Sequence, residues 1–333
     1  MNKSQYNFDP KILDGHRDDG ISAFMRIKNG EDFLKLTIES HIDFFDEVIA
    51  CYNQCTDNTE NILLDLQKKY PNKLKIYHYK PYVYPLGSPE QKAFFDKTSK
   101  IDIIHSMANY YNFALSKTTK KIAVKLDDDH LCVPENLSKA LEIVKKNGLK
   151  NIYTFSGINL VYKNNILGVF KNLAFSGNGD ICFFPVSRKS YFINLPIYES
   201  FTINKIRLPK KYIGILYLHL KFLKKDYGFL NYNLDNKKNK KSFFHNISNL
   251  TKNNLQFIEI KNFSNTSLCD FQKLSPSRYE KLDLLKYPLL TKIYFLFRKN
   301  NLILNRALSL KDYMQPIINN WEKTKQELKL TKL

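Results

Sequence analysis

The sequence lacks a long, uninterrupted hydrophobic run. Its longest apolar stretch, YIGILYLHLKFL (residues 212–223), contains a histidine and a lysine and is too short to span a bilayer. The first twenty residues are polar and have no apolar core, so we expect no signal peptide there. Neither feature favours a membrane-spanning protein.

Cysteine is also scarce. The chain has five cysteines, an odd number, and no paired CxxC units with zinc-like spacing. This pattern favours a reducing compartment without structural disulfides. Cys51 and Cys55 are spaced like half of a metal site. We interpret them as ordinary core or loop thiols.

Arginine is rare for so basic a chain. The formal net charge is +20, yet only seven of the 52 basic residues are arginine. Specific base readout favours the two-pronged arginine side chain. The composition therefore predicts a diffuse lysine-rich surface and no specific nucleic-acid partner, with a basic nucleic-acid-binding protein kept as a remote alternative.

Two glycine-rich nucleotide motifs are absent. The sequence contains neither GxGxxG nor GxxxxGK[ST]. A dinucleotide-binding enzyme of the usual type and a P-loop ATPase are therefore not supported.

Strand-like and helix-like segments alternate through the first half of the chain. Strands are expected at 21–27, 47–53, 74–79 and 121–127, and helices at 31–45, 56–71, near 100–117 and at 134–148. Asp57 and Glu60 have the spacing of a capping box at the start of the second helix. Repeated β-α-β units predict an α/β fold with a mostly parallel sheet flanked by helices. In such a sheet the ligand lies beyond the carboxyl ends of the strands.

The second half of the chain has different sequence patterns. Residues 151–186 are typical of β-hairpins, residues 205–241 hold eleven basic and two acidic side chains, and helical patterns return after 275. We expect a domain at 1–230, divided into a nucleotide-sugar half (21–130) and an acceptor half (131–230). A basic linker and a helix-rich C-terminal extension, 231–333, would follow it.

The stretch VKLDDDH places three aspartates directly after an apolar strand. Asp127 and Asp129 are separated by one residue, so both carboxylates can converge on one divalent cation. A metal would relieve their repulsion and supply positive charge for a departing diphosphate. The alternative is an N-terminal cap for the helix near Pro134, which needs only one aspartate.

Four stretches together resemble a known family: AFMRIKNGEDFLKLTIES, VIACYNQCTDNTENILLDLQKKYP, HSMANYYNFAL and VKLDDDH. In this order they are similar to bacterial GT-A glycosyltransferases of the lipooligosaccharide and capsule type, including β-1,4-N-acetylgalactosaminyltransferases. The resemblance covers about 21–150, continues weakly through GNGD (177–180) and 216–227, and fades after about 230. It implies a GT-A, Rossmann-like fold.

The resemblance implies a role for each matching residue. Asp127 and Asp129 become the pair that holds Mn²⁺ or Mg²⁺ on the diphosphate of a UDP-sugar, and His219 completes the metal shell. The implied donor-binding residues are Arg26, Asn29, Asn53, His105, Asn109, Asn112 and Asp128.

Structural interpretations stay open for several of these residues. Arg26 also fits an ion pair with Glu31 or Asp32. Asn53 fits a turn, and His219 fits a core or surface histidine inside an apolar strand.

One set of donor residues depends on helical spacing. His105, Asn109 and Asn112 fall on one face of the expected helix, at spacings of four and three. That face would turn toward the donor, or it would form a polar seam in the packing.

The chain departs from the family pattern in two places. Gly30 stands where related sequences have glutamate, so the role of that carboxylate is in doubt. Asp128 stands where they often have an apolar residue. We expect Asp128 to point away from the metal because side chains alternate along extended backbone.

Sugar transfer with inversion needs a general base near the acceptor hydroxyl. Asp180, after the turn Gly177–Asn178–Gly179, is our candidate, and an Asx-turn role is its alternative. Glu199 and Asp226 are weaker candidates. Inversion itself is implied only by the resemblance.

The expected acceptor is a glycolipid or oligosaccharide. The chain is expected to be cytoplasmic and peripheral on the inner face of the cytoplasmic membrane, through its lysine-rich second half. Residues 284–306 are the best membrane-contacting segment, unless they form a helix packed on the core. A metal-dependent nucleotidyl or phosphoryl transferase using the same aspartates is the main alternative function.

Overall fold

The computed structural model describes residues 3–96, 100–163, 166–170, 173–177, 181–195, 198–243, 256–263 and 302–330. The strands are β1 (Asp18–Ile27), β2 (Glu47–Tyr52), β3 (Leu74–His78), β4 (Lys120–Lys125), β5 (His130–Cys132), β6 (Ile152–Asn159), β7 (Val161–Lys163), β8 (Ile166–Phe170), β9 (Phe175–Ser176), β10 (Cys182–Pro185), β11 (Phe192–Leu195), β12 (Tyr198–Phe201), β13 (Lys210–His219) and β14 (Phe257–Glu259). The helices are α1 (Leu34–His41), α2 (Thr59–Lys69), α3 (Pro89–Ala93), α4 (Met107–Ser116), α5 (Pro134–Asn147), α6 (Ile260–Phe263), α7 (Leu302–Asn319) and α8 (Trp321–Leu330).

Two compact units interleave along the chain. The first comprises Met1–Asp129, Phe183–Leu208 and Lys225–Ser248, and the second comprises His130–Cys182, Pro209–Lys224 and Asn249–Leu333. The predicted domain limits at 130 and 230 stay predictions.

The first unit is built on four parallel strands in the order β3-β2-β1-β4. Residues 183–185 of β10 pair antiparallel with β4. The central strands carry apolar residues on both faces, and every residue of β2 is buried. This pattern is typical of a parallel sheet covered by helices. The predicted α/β class, with a mostly parallel sheet flanked by helices, is confirmed.

Two helix starts differ from the sequence prediction. The helix expected near residue 100 begins at Met107, because the Ser106 hydroxyl accepts the Asn109 amide at 3.1 Å and caps it there. A short 3₁₀ turn, Ile103–His105, precedes it. The capping box at Asp57 does not form: α2 has Asn58 at its N-cap, and Asp57 Oδ1 accepts the amide of Thr59, the first residue of the helix, at 3.1 Å.

A β-hairpin of strands β11 and β12 packs on helix α4. Asn112 holds it at both atoms of its amide: Nδ2 donates to the Phe192 carbonyl at 2.9 Å, and Oδ1 accepts from the Phe192 amide at 2.7 Å. The rings of Phe192 and Tyr111 stack with centroids 4.6 Å apart. The hairpin is therefore fixed against one face of the helix.

In the second unit, β13 pairs parallel with β6 and antiparallel with β5. The expected hairpin texture of 151–186 is right for β7 and β8. Within the same stretch β6 pairs antiparallel with β9, but its longer partner, the parallel strand β13, comes later in the chain. Pairing between distant segments is not visible in local periodicity.

Helix α7 is anchored in the second unit by Arg306, which is completely buried. Its Nε donates to Ser156 Oγ at 2.8 Å, and its Nη2 donates to the Gly177 carbonyl. The helical pattern expected after residue 275 is present in α7 and α8. Residues 264–301, with most of the proposed membrane segment 284–306, lie outside the described residues, and the predicted basic extension is not confirmed.

Among the described helices, none combines the length and apolar character needed to cross a membrane.

Candidate active site

The carboxyl ends of β1, β2 and β4 meet at one edge of the first unit's sheet. Ile27 pairs with Tyr52, and Phe24 pairs with Lys125. The residues that leave these strands therefore emerge side by side, as the sequence predicted from parallel pairing. Predicted donor-binding and metal-binding residues follow each strand end.

Arg26 is the charged centre of this edge. Its guanidinium lies over the Tyr111 ring at 4.9 Å, and Nη1 donates to Asn231 Oδ1 at 3.2 Å. Burial alone would lower the pKa of Arg26, but Tyr111, Tyr110 and Glu199 raise it overall. The arginine is therefore a fixed cation. The alternative ion pair with Glu31 or Asp32 was wrong.

Lys225, and not Arg26, is the ion-pair partner of Glu31 and Asp32. Its ammonium lies 2.9 Å from Glu31 Oε1 and 3.7 Å from Asp32 Oδ1. Its pairing lowers the pKa of Glu31 through the hydrogen bond to that ammonium.

Arg26 and Asn53 line a cavity of about 140 Å³. Asn53 Nδ2 donates to the carbonyls of Tyr79 and Pro81, at 2.6 and 2.7 Å. Its Oδ1 is buried and accepts no hydrogen bond from the described residues. Lys28 and Tyr82 line the same cavity.

Asn29 adopts a left-handed conformation, with φ of 48°. Its side chain bridges to the loop after β2, donating to Thr56 Oγ1 at 2.9 Å and accepting from the Thr56 amide at 2.8 Å. Asparagine tolerates this conformation better than most residues. Asn29 thus ties two strand ends together, and its contact with a nucleotide stays a prediction.

The three aspartates point to different partners. Asp127 Oδ2 lies 2.9 Å from the Lys125 ammonium. Asp128 extends toward Gly30, where a Cβ would lie 2.7 Å from Asp128 Oδ2. Asp129 is buried. Lys125 was missed as a site residue, although a lysine two residues before Asp127 was the available signal.

The three residues assigned to one helical face have different settings. His105 lies in the 3₁₀ turn before α4, and its Nδ1 contacts the Tyr82 carbonyl at 2.7 Å. Asn109 Nδ2 donates to the Tyr6 carbonyl and to Tyr79 Oη, both at 2.7 Å. The single face was wrong because His105 is not in the helix.

These contacts, with those of Asn112 to the hairpin, give all three side chains structural partners. Asn109 and Asn112 also line a second cavity of the first unit, of about 330 Å³, beside Phe192 and Tyr191. A role for these residues toward the donor stays a prediction.

In the second unit, His219 lies opposite His130 in the β13–β5 ladder. One ring nitrogen of each histidine lies within 4.8 Å of the other. His219 Nδ1 contacts Asn159 Oδ1 at 2.7 Å. Because that oxygen only accepts, Nδ1 carries the proton, and Nε2 has the lone pair that a metal requires.

His130 was missed as a candidate, although it directly follows Asp129 in the chain. Its ring stacks on Tyr217 with centroids 3.8 Å apart. A histidine immediately after a D-x-D pair was the available signal.

The candidate base Asp180 lies outside the described residues. Asp226 is engaged with backbone: its carboxylate accepts from the amides of Gly228 at 2.9 Å and Leu230 at 2.7 Å. Glu199 has a buried Oε2 that accepts no hydrogen bond from the described residues.

The β-1,4-N-acetylgalactosaminyltransferase (CgtA) family matches residues 1–275, so the chain belongs to that family. It is a glycosyltransferase, as the motifs predicted. No curated protein matched the sequence.

Solved structures with a similar chain path include the following two. S. aureus TarS is 16% identical over 89% of this chain and 91% of that chain, with a TM-score of 0.40. Glucosyl-3-phosphoglycerate synthase from Mycobacterium tuberculosis, solved with Mg²⁺ and UDP, is 14% identical over 63% and 74% of the two chains, with a TM-score of 0.33.

Proposed function

We propose that the chain transfers a sugar, N-acetylgalactosamine or another hexose, from a UDP-sugar to a saccharide acceptor of lipooligosaccharide or capsule. Membership of the family supports the reaction class. The observation that carries the donor assignment is the cavity at the ends of β1 and β2, lined by Arg26 and Asn53. Ligand sites of α/β sheets lie at such strand ends.

The chemistry of that cavity suits a uridine diphosphate. The unpartnered Oδ1 of Asn53 is an acceptor that matches the imide N–H of uracil. The Arg26 guanidinium would attract the diphosphate, and Lys28 adds a second cation at the cavity wall. Binding a donor would give Asn53 the hydrogen bond that it lacks in the described structure.

The proposed metal ligands are Asp127, Asp129 and His219, for Mn²⁺ or Mg²⁺. These two carboxylates and an imidazole suit such an ion. The protonation of His219 at Nδ1 fits a ligand role for its Nε2. When bound, the metal would supply positive charge to the leaving diphosphate. Lys125, paired with Asp127, would keep the local charge close to balance in the absence of the donor.

In the proposed reaction, Asp180 removes the proton from the acceptor hydroxyl as it attacks the anomeric carbon. The bond from that carbon to the diphosphate breaks, and the configuration inverts. Gly177, which precedes this segment, has φ of 73° and accepts a hydrogen bond from buried Arg306. The second unit thus fixes the start of the segment that carries the proposed base.

The test is release of nucleoside diphosphate from a panel of nucleotide sugars, with Mn²⁺ and with EDTA. We expect metal-dependent release of UDP from one donor. Release of pyrophosphate from a nucleoside triphosphate and a sugar-1-phosphate would instead establish the nucleotidyl transferase alternative.

Two variants test the metal assignment. Asp127→Ala and Asp129→Ala should abolish metal-dependent turnover while the protein stays folded, as judged by circular dichroism. Asp65→Ala is the matched control because it removes a comparable aspartate–lysine pair, 3.0 Å from Lys68, on an exposed helix surface. Full activity in either site variant would refute the metal assignment.

A peripheral association with the inner face of the cytoplasmic membrane completes the proposal, with a glycolipid as acceptor. The excess of basic residues in 205–241 supports it. The protein should sediment with phosphatidylglycerol vesicles, and high salt should release it. Equal recovery with neutral phosphatidylcholine vesicles would contradict an electrostatic contact.

A further inference from the structure

The second unit contains a cavity of about 310 Å³. Its walls come from strands β7, β8 and β14 and from the last described helix, α8. None of its lining residues lines the proposed donor cavity. The volume is in the range of small-molecule sites, and the proposed function does not yet use it.

The mouth of this cavity is apolar. Tyr162 lies opposite Leu167 in the β7–β8 ladder, so their side chains share one face of that sheet. Tyr162 is 41% exposed, and Ile166, the first residue of β8, is 44% exposed. A ligand that covers these side chains would gain hydrophobic free energy because it removes apolar surface from water.

Helix α8 contributes an aromatic ring to the cavity. The helix begins with Trp321, the only tryptophan of the chain. Trp321, Lys325 and Leu328 are spaced by four and three residues, so they lie on one helical face, and all three line the cavity. An indole presents a flat apolar surface together with an N–H donor.

The charged side chains of the cavity neutralise one another. Glu259 Oε2 lies 2.8 Å from the Lys261 ammonium, and Glu322 Oε1 lies 2.6 Å from the Lys325 ammonium. All four residues line the cavity. The side chains of Glu259 and Lys325 are each 34% exposed, less than their partners. The cavity thus offers acceptors and donors without an excess of either charge.

These features define a neutral ligand with an apolar face and a polar edge. A pyranose ring has both, because C–H groups cover its faces and its edge carries hydroxyls that donate and accept. An acyl chain suits only the apolar mouth, and it would shield the ion pairs and the indole N–H from water without giving them partners. A phosphate would meet a carboxylate beside each ammonium.

We propose that this cavity is a saccharide site, at which a neutral sugar unit of the acceptor lies on Trp321 and its hydroxyls contact Glu259 and Lys325. The saccharide chemistry follows from the cavity, whereas the assignment to the acceptor rests on the proposed function. Binding a sugar unit other than the one that is glycosylated would raise the effective concentration of a long acceptor at the enzyme.

The single tryptophan makes the test direct, because its fluorescence reports on this cavity alone. The full chain is titrated with neutral disaccharides (lactose, maltose and N,N′-diacetylchitobiose) and with 1-decanol as the acyl-chain probe. We expect a saturable change in tryptophan emission with at least one disaccharide. A response to 1-decanol alone, or to no probe, would overturn the inference.

Two carboxylate variants show whether the polar edge takes part. Glu259→Ala should weaken disaccharide affinity about 10-fold, the effect of one hydrogen bond to a charged group. Glu327→Ala is the matched control: its carboxylate is 3.9 Å from the Lys323 ammonium on the same helix and does not line the cavity. Its affinity should be unchanged. If Glu259→Ala does not fold, Lys325→Ala carries the same expectation. Wild-type affinity in the folded cavity variant would overturn the inference.

Release of UDP from nucleotide sugars is measured on the same preparation, so that the two proposals can fail separately. UDP release without a disaccharide response would overturn the saccharide site and leave the proposed function standing. A disaccharide response without UDP release from any donor would support the saccharide site but overturn its assignment to an acceptor.

Discussion

The carboxylate of Asp128 occupies the space beside Gly30 that a side chain would need. A Cβ on Gly30 would lie 2.7 Å from Asp128 Oδ2 and 3.2 Å from Ile27 Cγ2. These are the two positions at which the sequence departs from the family pattern. The structure thus links the departures: the residue without a side chain faces the additional carboxylate.

Gly30→Ala should therefore destabilise the protein by about 1 kcal/mol, because the added methyl crowds Asp128. Asp128→Ala in the same chain should relieve the crowding, and a double-mutant cycle by urea unfolding measures the coupling. Gly15→Ala is the control, since its Cβ would meet the Ile12 carbonyl at an ordinary 3.6 Å. Additive effects of the two site substitutions would contradict the linkage.

Asn159 is expected to position His219 for metal binding. Asn159→Ala should weaken Mn²⁺ affinity about 10- to 100-fold, because the imidazole loses the partner that fixes its protonated nitrogen. Calorimetric titration with Mn²⁺ measures the effect.

A second substitution separates positioning from folding. Asn159 Nδ2 donates to the carbonyls of Leu173 and Phe175. Asn159→Asp loses those donors but keeps the acceptor for His219, so it should be destabilised yet retain more Mn²⁺ affinity than Asn159→Ala. Equal metal affinity in both variants would show that the contact with His219 has no positioning role.

His41 predicts a pH dependence of stability. Burial lowers the pKa of His41 to about 4, below an unfolded value near 6.5. Between these values the unfolded chain binds more protons than the folded one, so stability is fully present above pH 6.5 and falls as pH decreases toward 4. From pH 7.5 to 5 the loss from this group is about 2 kcal/mol.

Urea unfolding of wild type and His41→Phe at both pH values isolates this contribution. The variant should lose stability at pH 7.5, because the histidine Nδ1 contact with the Thr37 carbonyl at 2.9 Å is removed. Its stability should then fall less on going to pH 5. Parallel pH profiles for the two proteins would rule out His41 as the source.

Arg306 should be needed for the stability of the second unit. Arg306→Ala should cost about 2–4 kcal/mol, because buried Ser156 and the Gly177 carbonyl lose their donor. Lys311→Ala, at an exposed position of the same helix, should have little effect. Thermal unfolding compares the two. If UDP release also falls in Arg306→Ala samples that remain folded, the link from Gly177 to the proposed base segment is supported.

The order of strands and helices in the first half was predictable from the sequence. A buried strand of a parallel sheet needs a short apolar run, and an amphipathic helix needs apolar residues at helical spacing. Both patterns are therefore visible in short stretches of the sequence. The location of the candidate site was predicted from the same pattern, because parallel strands end at one edge. The aspartates after β4 were found for that reason.

Only the tertiary structure decided which residues far apart in the sequence come into contact. Local sequence gives no sign that Asn159 would meet His219, that Asn112 would hold a hairpin against α4, or that β6 would pair with β13. Such contacts depend on how helices and strands pack, and the energy of packing is shared by many residues. The sequence by itself determined the fold class and the kinds of side chain at the strand ends, since both follow from local sequence patterns. The tertiary structure decided which buried atoms have partners, because that depends on side chains brought together from far along the chain.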